Sequence, residues 1–245
     1  MIELSHLTKK FGDLVAVDDL SLKVGRGRFF AVLGPNAAGK TTVIRVLAGL
    51  LKPTSGTARV AGFDIQTDPL QARRRLAYVP DFPFLYDKLT PWEFFRFSGQ
   101  IFQMSEERIE AAARDLIPRF NLETYARKPI EGLSHGTRQR VAIVSALLHD
   151  PEVFVIDEPM VGLDPQHARV VKDVLKERTL RGATVFLSTH QLSIAEEMAD
   201  QVGIMHQGRL VAVGTPEELR QQAHTGGTLE EVFLALTSEK SNNGG

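Results

Sequence analysis

Three short stretches carry side chains whose types and spacing could handle a polyphosphate. In LGPNAAGKTT, residues 33–42, Gly34 and Gly39 are followed by Lys40 and Thr41, which satisfies G-x-x-x-x-G-K-[S/T]. The stretch follows the apolar run FFAVL and precedes a helix-like pattern. In that setting successive backbone N–H groups and a helix N-terminus can both face a phosphate. Lys40 would neutralise the β and γ phosphates, and the Thr41 hydroxyl would ligate Mg2+. A plain strand-to-helix turn is the competing reading. VFVIDE, residues 153–158, is an apolar strand ending in two carboxylates. Asp157 is suited to hold the Mg2+ shell and Glu158 to polarise an attacking water, although a strand ending in Asp-Glu is, taken alone, mostly structural. In LSHGTRQR, residues 133–140, Ser134 and Gly136 open a helix of apolar period. A hydroxyl and backbone N–H groups there point off a positive helix end and form a second phosphate-holding surface. By itself the same stretch reads as a Ser N-cap.

The surrounding pattern has to position these groups. MIELSHLTKKF, LVAVDDLSLKV and RFFAVLG read as strands, with VGRG (24–27) as a hairpin-like turn before FFAVL. TTVIRVLAGLL has helical spacing and is expected to stop at KPTSG, before a glycine-punctuated strand region, TARVAGFDI. From about residue 86 to 150 the pattern is mainly helical. It then alternates: VFVI, the helix QHARVVKDVLKER, ATVFLST, the helix QLSIAEEMADQ and a hairpin, VGIMHQGRLVAVG. Such alternation implies an α/β fold, a parallel sheet covered by helices, with a helical insertion. The polar end TSEKSNNGG is expected to fray.

The totals narrow the class. A chain of 245 residues can bury a sizeable core. Twenty-nine basic residues against thirty acidic ones leave a net charge of -1, without the basic excess of a nucleic-acid binder. The absence of cysteine removes disulfides and thiolate metal sites, and a reducing cytosol is the expected compartment. Charges interrupt MIELSHLTKKFG where a signal peptide needs an apolar core, and no window approaches the roughly 18 apolar residues of a membrane span.

A phosphate-holding loop of this kind serves kinases, GTPases and motors alike, so it does not name a function. The ordered set is more specific. The loop, then LSHGTRQR, then VFVIDE, then GLDP (162–165) and STH (188–190) resembles the ATP-binding cassette (ABC) family, from Ile2 to about residue 236. The resemblance implies a P-loop NTPase of ABC ATPase type, with an antiparallel N-terminal β region, one ATPase domain over 1–237, a helical subdomain over about 86–150 and a flexible tail at 238–245. It implies that two such domains pair head to tail, as a homodimer or with a related cassette subunit, each ATP being clamped between one loop and the partner's LSHG surface. Phe11 would stack on adenine, where otherwise it would be core or surface. Gly34, Pro35, Asn36, Ala37, Ala38, Gly39, Lys40, Thr41 and Thr42 would hold ATP, and Mg2+ would sit on Thr41, Asp157 and Asp81. Ser134, His135, Gly136 and Thr137 would reach the partner chain's ATP, and Asp164 would meet its counterpart across the dimer. His190 resembles the histidine that contacts the γ-phosphate, with Glu158 and Lys40 completing the catalytic group.

Three positions depart from the family's pattern. Ala37 replaces a usual glycine; if that position needs a positive φ, alanine costs about 1 kcal/mol and loosens the loop slightly. His135 replaces the first glycine of the LSGG-type signature. Asp81, in YVPDFPF, stands where a glutamine is usual, and is expected to contact the metal directly or through water. After it, FPFLYDKLTPWEFFRF (82–97) carries seven aromatics in sixteen residues. Some of Phe82, Phe84, Leu85 and Tyr86 are expected to line a groove for a short helix of a membrane subunit, against the simpler reading of internal packing. GTPEEL and TLEEVFLAL resemble the ends of bacterial subunits serving export-type permeases. The resulting expectation is an ATPase subunit, on the inner face of the membrane through separate integral-membrane permease subunits, powering transport by ATP hydrolysis, with no nucleic acid involved. The alternative is a soluble ABC ATPase acting on ribosomes, DNA or protein assemblies.

Overall fold

Ten strands, nine α-helices and one short 3-10 helix (Ile130–Gly132) occupy the described residues of the computed structural model, 1–222 and 228–238. The strands are β1 (Ile2–Phe11), β2 (Leu14–Val24), β3 (Phe29–Leu33), β4 (Ser55–Val60), β5 (Phe63–Asp64), β6 (Leu76–Val79), β7 (Val153–Asp157), β8 (Thr184–Ser188), β9 (Gln201–His206) and β10 (Arg209–Gly214). The helices are α1 (Lys40–Leu47), α2 (Pro69–Arg74), α3 (Pro91–Ile101), α4 (Glu106–Arg119), α5 (His135–Leu147), α6 (Pro165–Leu180), α7 (Leu192–Met198), α8 (Pro216–Gln222) and α9 (Leu229–Ser238). The flexible tail expected over 238–245 lies, beyond Ser238, outside the described residues.

Two sheets form. The first is antiparallel, in the order β2-β1-β4-β5. The second has the order β10-β9-β3-β8-β7-β6, parallel from β9 through β6, with β10 added antiparallel at the edge. FFAVL, VFVID and TVFLS are buried at every position because both faces of this sheet are covered. Alternate residues serve different layers. Phe29, Phe154, Val185 and Leu187 join the core of α3–α6, while Phe30, Val32, Val155 and Phe186 join α1 and the first sheet.

Two sequence expectations are corrected. VGRG is not a hairpin: β2 and β3 belong to different sheets, so the turn carries the chain from one layer to the other. The helix beginning at Lys40 ends at Leu47, before KPTSG, because Gly49 takes a left-handed φ of 69° just past the C-cap Ala48.

Helices α3, α4 and α5 lie in the chain between β6 and β7. Just past α5, the His149 ring stacks flat on Phe102, with centroids 3.6 Å apart, and its Nε2 lies 3.3 Å from the Leu76 carbonyl. Burial pushes the imidazole pKa down to about 4 from 6.5, against the opposing effects of the Leu76 carbonyl and Asp150. The neutral ring is therefore the folded form. Above pH 6.5 both folded and unfolded chains hold it neutral. As the pH falls towards 4 only the unfolded chain gains the proton, and stability drops by roughly 3 kcal/mol from this group. Urea unfolding at pH 7 and pH 4.5 should show wild type losing more stability on acidification than His149→Phe, which keeps the stack; equal losses would contradict this.

Candidate functional site

Four neighbouring parallel strands end on one side of the second sheet and deliver the polar groups. The chain leaves β3 into Gly34, β8 into Thr189–His190 and β7 into Glu158, and Asp81 follows β6 by two residues. Crevices at the carboxyl ends of parallel strands are the usual ligand sites of such sheets.

The loop after β3 is shaped by what presses on it. A Cβ on Gly34 would stand 2.5 Å from the Met205 carbonyl oxygen of β9. Gly39 has φ 101°, and a Cβ there would collide with the Ala16 carbonyl oxygen of β2. The β9–β10 turn pins the arrangement, since Gly208 N–H donates to the Ala38 carbonyl at 3.1 Å and Asp18 N–H to the Gly208 carbonyl at 2.9 Å. Lys40 opens α1, and its ammonium donates to the Gly34 carbonyl at 2.6 Å and the Pro35 carbonyl at 3.1 Å. Burial lowers the Lys40 pKa, while Glu158 and Asp157 act to raise it.

Asp157 is 3% exposed. Burial raises its carboxyl pKa; the Ser188 and Thr41 hydroxyls and Lys40 favour the carboxylate, and Asp81 opposes it. Glu158 has φ 47°, unusual for a side-chain-bearing residue, and is held by its N–H donating to the Ser188 carbonyl at 3.0 Å. Its Oε1 lies 2.9 Å from His190 Nδ1, which must be the donor to a carboxylate.

These groups line one cleft of about 760 Å³. It collects Phe11, Asn36, Ala37, Ala38, Gly39, Lys40, Thr41, Thr42, Asp81, Asp157, Glu158 and His190. Gly34 and Pro35 stand behind it, offering carbonyls to Lys40. Sequence reasoning missed Leu14, Val15, Val161, Ser188 and Gln207, which also form its walls. Leu14 and Val15 follow Phe11 closely enough to have been suspected, and Ser188 is the first residue of STH. Phe11 is half-exposed, with the Lys9 ammonium 5.0 Å from its ring centroid.

Ser134, His135, Gly136, Thr137 and Asp164 do not line the cleft. Ser134 caps α5, its Oγ accepting from Thr137 N–H at 3.3 Å, so the plain cap reading of this residue holds within one chain. Asp164 caps α6 in the same way, accepting from His167 N–H at 3.0 Å, with Pro165 at the first helical position. The two caps are neighbours: a Cβ on Gly136 would stand 2.7 Å from the Gly162 carbonyl oxygen.

A family model described as ABC transporter matches residues 17–161. The chain belongs to the ABC transporter family. Among relatives of this ABC protein, the daunorubicin resistance ATP-binding protein DrrA3 of Streptomyces coeruleorubidus is 37% identical over 95% of this chain and 73% of that protein. The Nod factor export ATP-binding protein I of Cupriavidus pinatubonensis is 37% identical over 89% of this chain and 67% of that protein. The ATP-binding cassette MJ0796, solved as a dimer in a post-hydrolysis state bound to ADP and Pi, matches with a TM-score of 0.80. That match is 26% identical and covers 88% of this chain and 98% of that one.

Against the ABC pattern, the Ala37 departure now has a geometry: φ 63°, in the left-handed region that alanine enters only at a cost. The relief on restoring glycine exceeds the entropy that glycine adds to the unfolded chain. Ala37→Gly in this ABC cassette should gain about 0.5–1 kcal/mol, a rise in melting temperature of roughly 1–3 °C. Calorimetry showing a fall would contradict the strain.

Proposed function

We propose that this chain is the ATP-hydrolysing subunit of an export-type transporter, working as a pair of cassettes beneath separate permease subunits. The observation that carries this is the convergence of Lys40, Thr41, Asp157, Glu158 and His190 on one cleft at the ends of adjacent strands. ATP enters with its base beside Phe11 and its phosphates on the N–H groups of residues 36–42. Lys40 exchanges the loop carbonyls for phosphate oxygens, which its partly desolvated ammonium favours. Glu158 orients and polarises the attacking water, and the His190 Nδ1–H bond to Glu158 fixes both groups in the cleft.

The donor set fits Mg2+. Thr41, Asp157 and Asp81 present only oxygens to the cleft, and among the described residues no group of three or more His, Cys, Asp or Glu could hold a metal unaided. That is the pattern of an ion that completes its shell with phosphate oxygens and water. Bound there, it supplies neutralisation of phosphate charge.

Ser134, Gly136 and Thr137 do not line their own cleft, and Ser134 is exposed; both points support this surface serving a second copy, as does the dimeric state of MJ0796. Closure on ATP then drives the permease through its different affinity for two states. No helix among the described residues is long and apolar enough to cross a membrane; in this reading the pathway comes from another chain. A groove of about 360 Å³ beside Pro83, Phe84, Leu85, Phe94 and Phe102 suits a short helix of that chain, with Phe84 88% exposed at its edge. The roles in the names of the two relatives, drug resistance and Nod factor export, favour outward transport. Glu158→Gln should lower phosphate release from Mg·ATP by about 10²-fold or more while nucleotide binding persists. Wild-type release rates in that variant would contradict the assigned role.

A further inference from the structure

A hydrogen-bonded chain joins the caps of α5 and α6. Asp164 can only accept. Its Oδ1 takes His167 N–H and its Oδ2 lies 2.5 Å from His167 Nδ1, so Nδ1 carries the hydrogen. Arg140 can only donate, and its Nη1 lies 2.9 Å from His167 Nε2, with Asn121 Nδ2 at 3.4 Å from the same atom. Nε2 therefore offers its lone pair, and the contacts define the Nδ1–H tautomer. The other arm of Arg140 donates from Nη2 to Thr137 Oγ1 at 3.1 Å. Thr137 Oγ1 lies 2.9 Å from Ser134 Oγ. With Arg140 donating to Thr137, the Thr137 hydroxyl hydrogen is free to point at Ser134, which leaves the Ser134 hydrogen to point off the helix. Thr137 and Arg140 are buried, at 3% and 6% exposure, while Ser134 and Asp164 at the two ends are exposed.

We infer that His167 is a positioning residue that locks the Ser134 surface of α5 to the Asp164 loop, so that a second copy meets both as one preorganised unit with Ser134 presented as a donor. The inference rests on the proposed pairing of cassettes. His167 is the element of this chain that carries it from α5 to α6. Arg140 Nη1 shares its two hydrogens among His167 Nε2 and the backbone carbonyls of Phe120 and Asn121, so Arg140 keeps partners when His167 is changed, and folding does not hang on this residue.

The test uses the full chain carrying Glu158→Gln, with Mg·ATP-dependent dimerisation read by sedimentation. Into it are placed His167→Asn, which keeps a donor near the Asp164 side, His167→Gln, which keeps an acceptor near the Arg140 side, and His167→Ala. All three should raise the ATP concentration for half-maximal dimerisation about tenfold, the scale of a lost hydrogen bond to a charged group. A merely structural role would lower the melting temperature of the alanine variant and leave the ATP requirement of the folded protein unchanged, and that result overturns the inference. Nitrogen-15 shifts of His167 in the otherwise native chain should report the Nδ1–H tautomer at pH 7; an Nε2–H ring or an imidazolium also overturns it. If the Glu158→Gln parent itself stays monomeric, the pairing fails and this inference falls with it, an outcome distinct from an unchanged ATP requirement in a parent that dimerises.

Discussion

The absence of room for a Cβ at Gly34 and Gly39 governs the whole site. One position is closed by the Met205 carbonyl and the other by the Ala16 carbonyl, so the loop after β3 lies wedged between β9 of one sheet and β2 of the other. That wedge sets where α1 begins and brings the Lys40 ammonium back over the loop. The antiparallel N-terminal sheet thereby takes part in the site, because β2 provides the surface that bends the loop and the same stretch supplies Leu14 and Val15 to the cleft wall. A loop formed by steric exclusion is already in shape before a ligand arrives, which spares the binding step an ordering cost.

Around the loop, charge is arranged at some expense to the protein alone. Burial shifts Lys40 and Asp157 in opposite directions, each away from its charged form, and each shift is opposed by charged or hydroxyl neighbours. Ala37 and Glu158 both hold positive φ, at 63° and 47°. Local strain and desolvated charge concentrated in one cleft are what a site made for a charged ligand carries, because the surrounding sheet over-determines the geometry. The strand order accounts for the concentration: adjacent parallel strands must release their chains at the same edge, so residues far apart in sequence arrive together.

Features set by local rules were legible in the sequence. The glycine-lysine loop, the fully apolar strands, the Ser134 cap and the β9–β10 hairpin each follow from a few consecutive residues. What escaped was non-local. Whether VGRG joins partners or crosses between sheets depends on where β2 and β3 find their neighbours, and nothing in four residues specifies that. The early end of α1 turned on Gly49 adopting a left-handed φ, a choice open to any glycine. Gln207 and Val161 reach the cleft only because the sheet folds their turns over it. His167 looked like an ordinary helix residue, since its partners Arg140 and Asp164 come from an earlier helix and from the cap of its own helix. Ala37 was seen as a departure, but its backbone angle is a three-dimensional fact.

The most direct test of the wedge is calorimetric titration of Mg·ATP into wild type and Gly39→Ala, with circular dichroism confirming that both are folded. A Cβ at residue 39 has to push the loop off β2, so one nucleotide per wild-type chain and an affinity about tenfold weaker or worse in the variant is the expected result. Equal affinity in a folded Gly39→Ala would contradict the claim that this steric contact shapes the nucleotide site.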